Sequence, residues 1–210
     1  MPAEPPKSQK VPREFYLQPT LDVARALLGK LLVHHSVEGT TSGKIVETEA
    51  YLGETDRASH AWGGRRSERN KVLYGPPGHA YIYLIYGRYC CLNLVTQLEE
   101  VPECVLIRAL EPVEGVDLMA RRRKITQVTP RNVKNLANGP GKLCMAMGID
   151  RNLYGTDVCG EIFYVIESQP TLESEVVQTP RIGVDYAGEA SQYPWRFLLA
   201  ESPFISKKPK

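Results

Sequence analysis

The stretch AYIYLIYGRYCCLNLV, Ala80 to Val95, reads as strand, turn, strand. β-Branched and aromatic side chains fill both arms, and Tyr86-Gly87 interrupts them where a hairpin turn belongs. A tyrosine at that position stands at the hairpin tip. Upstream, KIVETEAYL (Lys44 to Leu52) alternates with period two: Ile45, Glu47, Glu49 and Tyr51 share one face, and Val46, Thr48, Ala50 and Leu52 the other. Downstream, CVLIRAL (Cys104 to Leu110) reads as a buried strand interrupted by one charge, Arg108.

Further out, Thr20 is placed to cap a short helix whose apolar face is Leu21, Ala24, Leu27 and Leu28, with Gly29 at its stop. Strands are predicted at Leu31 to His35, at 161–166 and at 195–200. Helical patterns run through Val116 to Ile125 and Arg131 to Ala137, and a third starts near Pro140. Strands joined by hairpins, with the helices gathered in a block, predict an α+β fold with a mostly antiparallel sheet. No repeat or linker divides the chain. A single domain is expected over residues 14–207, behind a flexible tail at 1–13 that holds four prolines and no apolar periodicity.

The 210 residues are 42% hydrophobic and 24% charged, which excludes a disordered or fibrous protein. No apolar run reaches the roughly 18 residues of a membrane span, and Met1 opens a polar stretch without a secretory signal, so a cytoplasmic protein is expected. Cys90, Cys91, Cys104, Cys144 and Cys159 lack CxxC spacing and fit reduced thiols better than disulfides or metal ligands. No metal or other cofactor is expected.

The net charge of +2 hides a segregation. Leu118 to Ile149 holds seven basic residues and no acidic one, whereas Gln97 to Asp117 holds six acidic residues against Arg108 alone. Arg65, Arg66, Arg69 and Lys71 form a second basic stretch, and Lys142 sits where Asn138-Gly-Pro-Gly opens a helix. Such runs are commonly solvated helix faces, but two of them beside an exposed aromatic also fit a polyanion surface. Arg65, Arg69 and Lys142 are the candidate phosphate contacts.

Glu49 is the sharpest single residue. Two carboxylates two apart on one strand face need a guanidinium to stay ionised, and Arg108 needs such a partner. A structural ion pair and a carboxylate that activates water both satisfy that requirement. Tyr81, Tyr83, Tyr86 and Tyr89 fall within nine residues, and cross-strand packing accounts for most of them. Tyr86 differs, because a tip aromatic cannot bury itself in its own sheet.

Taken together, IVETEAYLG (45–53), HAWGGR (60–65), YIYLIYGRY (81–89) with Asn93, LIRALEP (106–112) and GPGKLC (139–144) resemble the alkyladenine, or 3-methyladenine, DNA glycosylase family. The likeness runs in order from about residue 15 to 206, and the short N-terminal segment is closer to the family's bacterial form. The resemblance implies a curved sheet with a protruding β-hairpin and surrounding helices. It implies a monomeric, monofunctional N-glycosylase that flips damaged purines from double-stranded DNA to begin base-excision repair. The implied substrates are 3-methyladenine, 7-methylguanine and hypoxanthine, and the implied location is the cytoplasm, at the nucleoid. Residue by residue, Glu49 matches the general base, Arg108 its partner in positioning water, and Ile182 a backbone carbonyl that holds that water. Tyr51, His60 and Tyr83 match the clamp on the flipped base, Asn93 the residue that crowds the amine of guanine, and Tyr86 the wedge left in the duplex. Without the resemblance, the residues also fit a non-catalytic nucleic-acid module or a small-molecule hydrolase or transferase.

Overall fold

The computed structural model describes residues 10–168 and 171–209. Among them, β1 (Leu31–Ser36), β2 (Gly39–Tyr51), β3 (Ala80–Ile85), β4 (Tyr89–Thr96), β5 (Glu103–Glu114), β6 (Phe163–Ile166), β7 (Val176–Thr179) and β8 (Arg196–Leu199) form one antiparallel sheet. Its order is β3-β4-β5-β2-β1-β6, with β8 also paired to β2 and β7 to β8. Helices α1 (Thr20–Ala26), α2 (Val116–Arg122) and α3 (Pro140–Met147) complete the expected α+β architecture.

Period-two alternation gives the sheet its two faces. Ile82, Leu92, Leu94, Val105 and Ile107 point to the main core, where they meet Val23, Leu27, Leu143 and Met147 from α1, α3 and the segments beside them. Tyr81, Val95 and Cys104, one residue out of phase, belong to a separate cluster on the opposite face.

β2 departs from simple alternation. Its first half pairs with β1, its second half with β8, and its other edge with β5 from Ser42 to Tyr51. The β2–β5 ladder steps from Ile45↔Leu110 to Glu47↔Ala109 to Thr48↔Ile107, so Val46 and Arg108 are extra residues on opposite strands. Paired bulges of this kind bend a strand and re-aim its side chains. Ile45 therefore joins Ala50 in the main core, while Val46 turns to a smaller cluster with Ala109 and Leu198. The predicted shared face of Ile45, Glu47, Glu49 and Tyr51 holds for the last three only.

Other differences are local. Thr20 is the first residue of α1 and not its cap; its buried hydroxyl instead meets Thr96 Oγ1 at 2.7 Å and Glu103 Oε2 at 2.5 Å. α2 stops at Arg122, and Lys124 takes a left-handed φ of 55°. The helix expected over 131–137 shrinks to a 3-10 turn at Val133–Asn135, where Thr129 and Asn132 exchange side-chain-to-backbone hydrogen bonds that compete with a helix. Residues 1–9 of the expected tail lie outside the described residues; Lys10 bridges to Ile166, and Val11 is buried. All five cysteines are free thiols, and no helix among the described residues is long and apolar enough to cross a membrane.

The C-terminal segment is held by Glu47, which is fully buried. Its Oε1 accepts from Arg108 Nε at 2.9 Å, Arg196 Nε at 2.7 Å and Ser206 Oγ at 2.7 Å, and its Oε2 from Ser206 N at 2.5 Å. Burial alone would raise this carboxyl, but Arg108 and Arg196 outweigh it and hold Glu47 below its ordinary value of 4.5. Its contribution to stability is therefore complete above pH 4.5 and is lost only as pH falls through the depressed folded value. Glu47→Ala, which strands two buried guanidinium groups, is expected to destabilise the fold by about 3–5 kcal/mol in urea denaturation. A loss below about 1 kcal/mol would show that the network is not what holds β2, β5 and β8 together.

Candidate active site

One lateral row of the sheet carries the site. Tyr81 on β3 pairs with Asn93 on β4, Asn93 with Leu106 on β5, Leu106 with Glu49 on β2, and Glu49 with Arg196 on β8. Residues in register across neighbouring strands point to the same face about 4.8 Å apart, so side chains remote in sequence converge. Over this row lies a cavity of about 560 Å³, whose walls include Tyr51, His60, Tyr83, Asn93, Arg108 and Ile182.

Glu49 is fully buried and held at both oxygens. Its Oε2 accepts from Tyr51 OH at 2.8 Å and Arg108 Nη1 at 3.3 Å, and its Oε1 accepts from the backbone N–H of Ile182 at 2.7 Å. Burial would lower the Arg108 pKa, but Glu49 and Glu47 raise it further, so its charge is permanent. Burial, reinforced by Glu49, pushes Tyr51 well above the usual tyrosine range, so its hydroxyl keeps the proton that it donates. The family resemblance assigns Ile182 through its carbonyl; the contact in the structure is its amide N–H, which orients the carboxylate.

The aromatic walls are close-packed. His60 and Tyr83 meet edge-on with ring centroids 4.6 Å apart, which leaves no room for a base between them and makes them one wall. His60 Nδ1 lies 2.6 Å from Tyr81 OH. Asn93 is pinned at both ends: its Nδ2 donates to Tyr81 O at 3.1 Å, and its Oδ1 accepts from Cys104 Sγ at 3.8 Å. Tyr86 also borders the cavity. It sits in a three-residue loop closed by Arg88 N to Ile85 O at 3.1 Å, is 92% exposed, and holds a left-handed φ of 52°. That backbone is costly for a bulky residue and is characteristic of functional positions.

Of the expected phosphate contacts, Arg69 stands over the Tyr83 ring at 5.5 Å and lines the cavity. Arg65 lines a neighbouring cavity instead. Lys142 lies in the first turn of α3 with its Nζ 2.9 Å from Asn138 Oδ1.

The sequence reading missed the clamp behind the site. Arg181 and Asp56, both fully buried at their side chains, form a bidentate pair at 2.5 and 2.9 Å. Arg181 also donates to the carbonyls of Ala50 and Ala190 and lies between the rings of Tyr51, at 4.7 Å, and Trp195, at 4.9 Å. Asp56 accepts from the amides of Leu52 and Ala58. The pair thus locks the loop carrying His60 to the loop carrying Ile182. It spans 125 positions, and no local pattern in the sequence shows it.

A buried, oriented carboxylate beneath an aromatic cavity can polarise water against a planar, electron-poor group. The methylpurine-DNA glycosylase family model matches residues 14–203. A relative in Alkaliphilus oremlandii is 48% identical over 202 residues, covering 95% of this chain and all of that one. One in Clostridium tetani is 49% identical with the same coverage, and one in Methanocella arvoryzae is 52% identical over 94% of this chain and 96% of its own. Each provisionally bears the name 3-methyladenine DNA glycosylase. The chain belongs to the methylpurine-DNA glycosylase family and is a hydrolase of the DNA glycosylase class.

Burial, with the positive charges of Arg69 and Arg65 added, pulls His60 from an ordinary 6.5 down to about 4. Between those values the unfolded chain binds a proton that the folded site refuses, so acidification from 6.5 to 4 lowers stability and then has no further effect through this group. Ring-nitrogen NMR is expected to show a neutral His60 imidazole at pH 5.5. A charged ring at that pH would contradict the electrostatics of the site.

Proposed function

We propose that the chain flips alkylated or deaminated purines out of double-stranded DNA and hydrolyses the bond between base and deoxyribose, leaving an abasic site. The substrates in this reading are 3-methyladenine, 7-methylguanine and hypoxanthine. The observation that carries it is the placement of Glu49. Among the described residues, its Oε2 accepts from two donors and its Oε1 from the Ile182 amide alone, which supports a lone pair of Oε1 directed at water.

In the proposed step, the base departs with the electron pair of the glycosidic bond, and the anionic carboxylate stabilises the positive charge that develops on the sugar. A water between Glu49 and Arg108 attacks the anomeric carbon while Glu49 takes its proton. Cationic 3-methyladenine leaves as a neutral base; neutral hypoxanthine needs a proton or hydrogen bond on the purine. Tyr51 and the wall of Tyr83 and His60 stack on the extruded ring, and electron-poor rings stack best on electron-rich tyrosines. Asn93, pinned at both ends, crowds the exocyclic amine of guanine. Tyr86 fills the gap in the duplex and offsets part of the few kcal/mol of extrusion. Arg65, Arg69 and Lys142 contact phosphates, and the protein works as a monomer without a Schiff base.

Release of methylated bases and hypoxanthine from duplex DNA in the presence of a chelator tests the reading as a whole. Glu49→Gln is expected to slow release by about 10²–10⁴-fold while binding to a pyrrolidine abasic analogue persists. Turnover within tenfold of the parent would remove Glu49 as the base. Tyr86→Ser is expected to weaken affinity for a lesion duplex, and unchanged affinity would refute the wedge.

A further inference from the structure

A second cavity, of about 380 Å³, abuts the first. The two share Ser59, His60, Arg69 and Tyr186 as walls. The second adds Arg57, Trp62 and Arg65. We propose that this cavity holds the nucleotide next to the flipped one, its base stacked on Trp62 and its phosphate held by Arg57 and Arg65. The proposal rests on the DNA reading given above and adds a subsite to it.

Charge sorting supports it. Of the basic residues on this loop, Arg66 is engaged by Glu100 and Lys71 by Glu68. Arg57, Arg65 and Arg69 form no ion pair among the described residues, and all three line the second cavity. No carboxylate stands among its walls.

Shape supports it as well. Trp62 and Tyr186 are large aromatics left exposed beside these cations, and the guanidinium of Arg57 lies 5.8 Å from the Trp62 ring. A planar base can enter such a cation–aromatic arrangement by stacking, and every base has a face for it. The platform is built rather than loose. Buried Asn70 donates to the carbonyls of His60 and Arg65 at 3.1 and 2.8 Å, Tyr74 OH donates to Arg65 O at 3.0 Å, and Tyr186 OH donates to Ala58 O at 3.3 Å. Because the cavities share four walls, a ligand in the second adjoins one in the first, as neighbouring nucleotides of one strand do.

The chain has two tryptophans, Trp62 and Trp195, so Trp62→Phe isolates the signal of Trp62 by difference. Duplexes carrying the pyrrolidine analogue are titrated with flanking nucleotides on both sides, or with the strand ending at the analogue on one side or the other. Stacking predicts quenching that Trp62→Phe abolishes and that one of the two truncated strands fails to produce. Trp62→Ala and Arg57→Gln are each expected to weaken binding about tenfold, and Arg57→Gln also to lessen its salt dependence. Equal quenching in the parent and Trp62→Phe, or with both truncated strands, would overturn the subsite. Equal quenching by free 3-methyladenine would assign the cavity to a released base and overturn it too. A parent protein that excises no base from any duplex would refute the glycosylase reading; normal excision with a silent Trp62 would refute the subsite alone.

Discussion

The guanidinium of Arg108 lies between two carboxylates on the same strand, donating through Nε to Glu47 and through Nη1 to Glu49. Both acids are fully removed from water. With a single cation between them, one would keep its proton, because burial and mutual repulsion both favour the neutral form. Arg196 and the Ser206 amide relieve that conflict by compensating Glu47 separately. Glu47 then acts as an anchor for three strands and the C-terminal segment, and Arg108 retains an N–H for Glu49. The chemistry available to Glu49 depends on this division between two identical side chains.

Backbone geometry makes the division possible. Were the β2–β5 ladder regular, its register would set Arg108 directly opposite Glu47, with Glu49 opposite Leu106. The paired bulges at Val46 and Arg108 take Arg108 out of the ladder and set it between the two. The same irregularity bends β2 where its partner changes from β1 to β8, and β8 brings Arg196. Bulge, partner exchange and charge compensation thus coincide within four residues of β2.

These relations mark the limit of what the sequence shows. Period two alone placed Glu49 and Tyr51 on one face, and the hairpin with Tyr86 at its tip follows from local composition. The candidates Tyr51, His60, Tyr83, Asn93, Arg108 and Ile182 line one cavity, whereas Arg65 and Lys142 do not; the roles of His60, Asn93 and Ile182 follow from the family resemblance and not from local pattern. Sequence reading failed where partners are distant. The bulge at Val46 leaves no mark in an apolar run, and the face of Ile45 was misread for that reason. β7 is four residues, none of them buried, held by β8. Arg181 and Asp56 look like ordinary loop charges until the chain brings them together. At 131–137, helix-compatible spacing lost to hydrogen bonds between Thr129 and Asn132 that propensity does not count.

Charge shows the same contrast in the opposite direction. Along the chain, the acidic segment 97–117 and the basic stretches look segregated, as if each formed its own surface. Folding pairs several of them: Glu100 with Arg66, Glu111 with Lys44, and Glu38 with Arg122. What faces the two cavities is therefore the remainder after pairing and not the block as written. Arg57, Arg65 and Arg69 remain beside exposed aromatics, and no carboxylate stands among the walls of either cavity. A chain with a net charge of +2 can thus present a concentrated positive field at one place, where low-dielectric walls strengthen it, without being basic overall. Such a field favours a polyanion at that place.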